Sequence, residues 1–115
     1  MDEDGAGPPV HARLEFPGSW GPASMPVACL GGLPLVVVVH LTLRSEAFAG
    51  APVRVSVRGD TVRDRLPERV GAVASVRLEG DTLPYGWRGR VSVRVSVGSP
   101  PRHEQKLSFE AEGVR

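Results

Sequence analysis

His11, His40 and His103 are the only imidazoles in the chain, and Cys29 is its only thiol. Acyl transfer by a serine needs a histidine base and a carboxylate to orient it, and these groups can lie far apart in sequence. No Gly-x-Ser-x-Gly elbow accompanies them here. A zinc site draws on clustered cysteine and histidine, which one thiol and three scattered imidazoles do not supply. No P-loop and no Gly-x-Gly-x-x-Gly run is present to cradle phosphates. The expectation is a protein that is not an enzyme, with no metal and no cofactor. His40, inside an apolar run, reads as a hydrogen-bonded structural histidine.

Arginine and the aromatic residues carry the remaining chemistry. Thirteen arginines stand against one lysine, Lys106, and isoleucine and asparagine are absent. The codons of Ile, Asn and Lys are AT-rich, so a GC-rich genome accounts for part of this excess. The formal net charge is only +1 over 115 residues, so any affinity for an anion must come from local placement rather than from total charge. Arg54 and Arg58 alternate with valines in one segment, and Arg88, Arg90 and Arg94 do so in another. If both segments join one sheet, these five side chains form a basic face suited to an acidic partner or a phosphate backbone. Arginines that merely protect a solvated face would give the same pattern.

Tyr85 and Trp87 lie beside arginines in Pro84-Tyr85-Gly86-Trp87-Arg88-Gly89-Arg90. Two readings stand. They share the parity of the valines that follow, so a continuous strand would bury both; in an exposed loop they would form a contact patch of the kind Trp and Arg favour. Trp20, in a Pro/Gly-rich stretch, is open to the same two readings. Together Trp20, Tyr85 and Trp87 also admit a sugar-binding reading. Arg58-Gly59-Asp60 spells a tripeptide that integrins bind, but a turn at a strand end gives Gly and Asp a structural use there.

The elements that must position these residues are strands. Val10 to Phe16 alternates apolar and polar, the period of a half-buried strand. Four prolines and four glycines between Pro17 and Pro34 exclude a helix there, leaving room for a short strand near Met25 to Leu30. Leu35 to Leu43 is the strongest strand, and further alternating runs cover 52–58, 72–79, 85–97 and 106–112. Thr61 to Val70 is ambiguous: Val62, Leu66 and Val70 have helical spacing, and Pro67 limits any helix to about a turn and a half. A weak echo links Val55 to Val62 with Val76 to Leu83 through a shared Gly-Asp-Thr, as two hairpin-like strand ends would. Without long helices, parallel βαβ architecture is excluded. An all-β antiparallel β-sandwich of about six or seven strands follows, with a small barrel as the alternative.

Ala49-Gly50-Ala51-Pro52-Val53-Arg54-Val55-Ser56-Val57, followed downstream by Gly89-Arg90-Val91-Ser92-Val93-Arg94-Val95, resembles bacterial immunoglobulin-like modules. Those domains read Gly-x-Pro-Val into a strand, then a glycine before a later strand and a closing alternating strand, here Leu107 to Ala111. The resemblance covers roughly residues 35–113. It implies an immunoglobulin-like fold with an adhesive or spacer role rather than a catalytic one.

Leu35 to Val39 is apolar on both faces. A sandwich leaves one face of each strand outside, so Val36 and Val38 call for a cover. The Pro/Gly-rich segment could fold back over them; otherwise a partner protein or a second copy does. The expected function is therefore a non-catalytic protein–protein interaction module, a subunit or accessory domain of a larger assembly, with Val36 and Val38 as the contact surface and Tyr85, Trp87 and Trp20 as a second patch. Nucleic-acid or anionic-ligand binding through Arg54, Arg58, Arg88, Arg90 and Arg94 is the alternative.

One domain over 10–112 is expected, between an acidic, Gly/Pro-rich tail at 1–9 and a short tail at 113–115. With no intrachain disulfide available to Cys29, an apolar run too interrupted to span a membrane and an acidic opening where a secretory leader is basic, the expected location is the cytoplasm.

Overall fold

The computed structural model describes residues 8–17, 27–30 and 32–115. Trp20 lies outside them. Eight strands are described: β1 (Val10–Glu15), β2 (Val27–Leu30), β3 (Pro34–Leu43), β4 (Pro52–Val57), β5 (Asp60–Arg65), β6 (Val73–Thr82), β7 (Arg88–Val97) and β8 (His103–Val114). Among the described residues the only helical element is a single 3-10 turn, Glu46–Phe48, whose first N–H groups are met in part by the Ser45 hydroxyl (Ala47 N–H to Oγ, 3.3 Å).

The strands form two sheets, ordered β1-β3-β6 and β2-β8-β7-β4-β5. All pairs are antiparallel except β2 with β8, which run parallel. The inner faces are almost wholly valine and leucine. β3 contributes Leu35, Val37, Val39, Leu41 and Leu43, and β7 contributes Val91, Val93, Val95 and Val97, all buried. β-Branched side chains suit this arrangement because their restricted χ1 packs well on a pleated surface. Since alternate residues point to opposite faces, burial of these valines commits the even-numbered residues of β4, β7 and β8 to the outside.

The β4–β5 hairpin meets the end of β6 in the smaller sheet. There the Glu79 N–H donates to Asp60 Oδ2 at 2.9 Å, and the Asp81 N–H donates to the Arg58 carbonyl at 2.9 Å. The two Gly-Asp-Thr copies thus pack against each other. One begins β5 and the other closes β6, and a Cβ at Gly80 would collide with the Arg58 carbonyl oxygen.

Four expectations are corrected. The described residues hold eight strands rather than the six or seven expected, because Asp60–Arg65 is a strand and not a turn of helix: pairing with β4 along its whole length outweighs the helical spacing of Val62, Leu66 and Val70. The strand expected from Tyr85 begins only at Arg88, since Gly86 adopts φ +86° in a turn closed by the Trp87 N–H on the Pro84 carbonyl, 3.0 Å. The sixth strand, placed at 72–79, continues to Thr82. Finally, the last strand, placed at 106–112, runs from His103 to Val114, and within it Gly113 is buried and exchanges backbone bonds with Gly86 and Trp87. Among the described residues no helix is long and apolar enough to cross a membrane.

Candidate anion-binding face

The outer face of the five-stranded sheet is built by register. Arg54 of β4 lies between Arg63 of β5 and Ser96 of β7. One rung further along, Ser56 lies between Thr61 and Arg94, and Arg94 is itself opposite Lys106 of β8. Arg54, Arg63, Arg94 and Lys106 are all exposed, and none takes part in the ion pairs found among the described residues. They form an oblique cationic track over four strands, flanked by the hydroxyls of Ser56, Thr61 and Ser96. With strands about 4.8 Å apart, its ends are rooted roughly 14 Å apart across the sheet.

The same face shows the opposite arrangement further along β7. Arg90 pairs with Glu110 at 3.3 Å, and Arg88 is the register partner of Glu112. Opposite charges directly across a sheet attract, whereas like charges there are destabilising. The sheet therefore neutralises one end of its outer face and concentrates cations at the other. Glu104, opposite Ser96, is the carboxylate nearest the track in register, and no described ion pair ties it to Arg94 or Lys106.

At the Arg63 end a cavity of about 380 Å³ opens, lined by Arg54, Arg63, Asp64, Ser96 and Ser99, with Pro52 and Pro101 among its apolar walls. The turn after β7 shapes its rim. Gly98 holds φ +100°, a conformation that a side chain would strain, and its N–H donates to the Pro52 carbonyl at 2.8 Å. Asp64 Oδ1 accepts the Arg65 N–H at 2.8 Å, and Arg65 Nη1 is anchored on the Gly50 carbonyl at 3.1 Å.

The five arginines singled out from sequence thus divide. Arg54 and Arg94 belong to the track. Arg88 and Arg90 face glutamates. Arg58 lies over the Trp87 ring at 4.8 Å, with Asp81 3.8 Å from its Nε. Arg63 and Lys106 were missed. Arg63 falls in the segment with helical spacing, and Lys106 opens the alternating run 106–112. Both become legible only with the pairing of β4 with β5 and of β7 with β8.

Trp87 is half-buried, resting against Gly89 and covered by Arg58. Tyr85 is 66% exposed, but the Arg115 guanidinium lies 4.7 Å from its ring centre. In Arg58-Gly59-Asp60 the Asp60 carboxylate accepts a backbone N–H of β6, a structural use.

Val36 and Val38 lie on the outer face of the three-stranded sheet and are half-buried. Their register partners are Glu79 for Val36, and Glu15 and Arg77 for Val38. Of the Pro/Gly-rich segment expected to fold over them, residues 18–26 and 31 lie outside the described residues.

The next rung carries a line of hydrogen bonds across all three strands. Ser75 Oγ is 2.7 Å from His40 Nδ1, and His40 Nε2 is 2.6 Å from Glu15 Oε1. This is the connectivity of a serine, a base and an orienting acid. It lies on a sheet face, however, and the cavity described above is lined by other residues. The carboxylate and the hydroxyl hold both ring nitrogens of a side chain only 18% exposed, so the imidazole ties β1, β3 and β6 together. Among the described residues no group of three or more metal-ligating side chains occurs.

No known protein family, curated protein or solved structure matches this chain.

Proposed function

We propose that this chain is a non-catalytic binding domain that recognises an anionic partner through the outer face of its five-stranded sheet. One observation carries the proposal: two adjacent rungs place like charges directly opposite each other, Arg54 with Arg63 and Arg94 with Lys106, whereas beyond the Ser92–Ser108 rung β7 and β8 place opposite charges together, Arg90 with Glu110 and Arg88 with Glu112. A bound anion compensates the repulsion in the first two rungs. Arginine suits the task because its planar fork meets a phosphate or carboxylate with two parallel hydrogen bonds.

The experiment compares two double variants of equal charge change. Arg94→Gln with Lys106→Gln should weaken binding of single-stranded oligothymidylate, followed by fluorescence anisotropy at low salt. Arg88→Gln with Arg90→Gln should leave it within about twofold. Equal losses in both would remove the track as the site.

The sandwich is read as immunoglobulin-like. The order β1-β3-β6 matches strands A, B and E of that fold, and β8-β7-β4-β5 matches G, F, C and C′. This order supports an adhesive or accessory role in a larger assembly.

A second reading, contact with another protein or a second copy through Val36 and Val38, is favoured by Val73. That valine is 55% exposed and opposite Thr42 on the same face, beyond the His40–Ser75 rung, so it adds a further apolar side chain to this face on an edge strand. Light scattering over a concentration range tests the self-association form of it. A dimer that Val36→Asp with Val38→Asp dissociates would support it, and a monomer at all concentrations would remove it.

A further inference from the structure

The cationic track ends in a cavity, and the chemistry of that cavity differs from the rest of the face. Arg54 and Arg63 are direct register partners, so their side chains are rooted about 5 Å apart, and both line the cavity. Two arginines that line one space bring two positive charges to it. A carboxylate, a sulfate ester or a phosphodiester carries one negative charge. A terminal phosphomonoester carries ~1.5 to 2 at neutral pH and offers three acceptor oxygens. Ser96 and Ser99 add hydroxyl donors around the same space.

The remaining lining fits what a phosphate is attached to. Pro52 and Pro101 give apolar walls. Asp64 would repel a bare anion, but its carboxylate is oriented by the Arg65 N–H on Oδ1. It lines the same space as Arg54 and Arg63. There it can accept a hydrogen bond from a hydroxyl of the carrier. At about 380 Å³ the space lies at the small end of ligand pockets, the size of a sugar phosphate rather than of a polymer segment.

We infer that the cavity beside Arg54 and Arg63 binds a terminal phosphomonoester on a hydroxylated carrier, a sugar phosphate that is free or at the end of a nucleic-acid strand. The inference rests on the anionic reading of this face. The cavity holds the phosphate end, and in a strand the following phosphates run on toward Arg94 and Lys106.

The test uses end-phosphorylated oligothymidylate, a hydroxyl-ended strand lengthened to equal formal charge, and ribose phosphate against ribose, each titrated into the full chain. The end-phosphorylated strand should bind at least about tenfold tighter than its charge-matched control, the size expected for charged hydrogen bonds lost at one end. Arg63→Gln should abolish that preference, whereas Arg94→Gln should weaken both strands alike. Ribose phosphate binding comparable to that of the strand would identify a free sugar phosphate as the source, and binding only of the strand would identify a strand end. Equal affinity for the two strands overturns the cavity site while leaving the track intact. No binding of any probe overturns the anionic reading itself.

Discussion

Arg54 and Arg63 face each other directly across β4 and β5, on the side of the sheet turned away from the core, with Ser96 completing the rung. Nothing in the packing requires this. Both side chains are exposed, and many polar residues would satisfy the pleat equally well. Like charges opposite each other make the isolated fold less stable, and on the proposed reading a negatively charged ligand compensates them, a trade between stability and function common at binding sites.

That trade is measurable. Arg63→Glu replaces a like-charge pair with an opposite-charge pair, so the unliganded domain should gain up to about 1 kcal/mol in urea denaturation at low salt, and less as salt is added. The same variant should bind oligothymidylate more weakly than the parent. A variant that loses stability would mean that the two guanidinium groups do not oppose each other.

The Glu15–His40–Ser75 line predicts a structural effect without a binding effect. His40→Ala removes two hydrogen bonds across three strands and should cost about 1–3 kcal/mol in denaturant unfolding. Its affinity for the anionic probe should stay unchanged, because the line lies on the other sheet. A variant as stable as the parent would show that the imidazole does not tie the strands together.

Gly113 predicts a steric effect. A Cβ there would collide with the Pro84 carbonyl oxygen, and its N–H is committed to the Trp87 carbonyl at 2.8 Å. Gly113→Ala should therefore destabilise by about 2 kcal/mol or more and alter tryptophan emission. An unperturbed melting temperature would show that the end of β8 does not pack under the Tyr85–Trp87 turn.

Cys29 is buried, and burial raises its thiol above the ordinary value of 9.0. The folded thiol stays protonated where the unfolded one has begun to ionise. This contribution to stability is complete below the unfolded value and is lost as pH rises through the folded value. Ellman's reagent should react slowly with the native protein and rapidly after unfolding. Equal rates in both states would place the thiol at the surface.

Much of the fold was legible because alternation reports burial directly. Val91, Val93, Val95 and Val97 read as one face from spacing alone, and all four are buried. The segment 60–65 was not legible, because an edge strand buries little and its apolar periodicity is weak. Only Asp60 and Val62 are even half-buried there, among exposed polar residues. The same blindness hid Arg63. Sequence places Arg54 and Arg94 on outer faces, but which side chain stands opposite each is a matter of register. Register separated Arg54 and Arg94, which stand opposite serines and cations, from Arg88 and Arg90, which face glutamates.

The salt dependence of oligothymidylate binding tests the cationic track most directly. Four engaged cations displace counterions from a single strand, so the logarithm of the association constant should fall with the logarithm of salt at a slope of about −3. Arg94→Gln with Lys106→Gln should halve that slope. A slope near zero, or one that the double variant leaves unchanged, would contradict an anion-binding face built from Arg54, Arg63, Arg94 and Lys106.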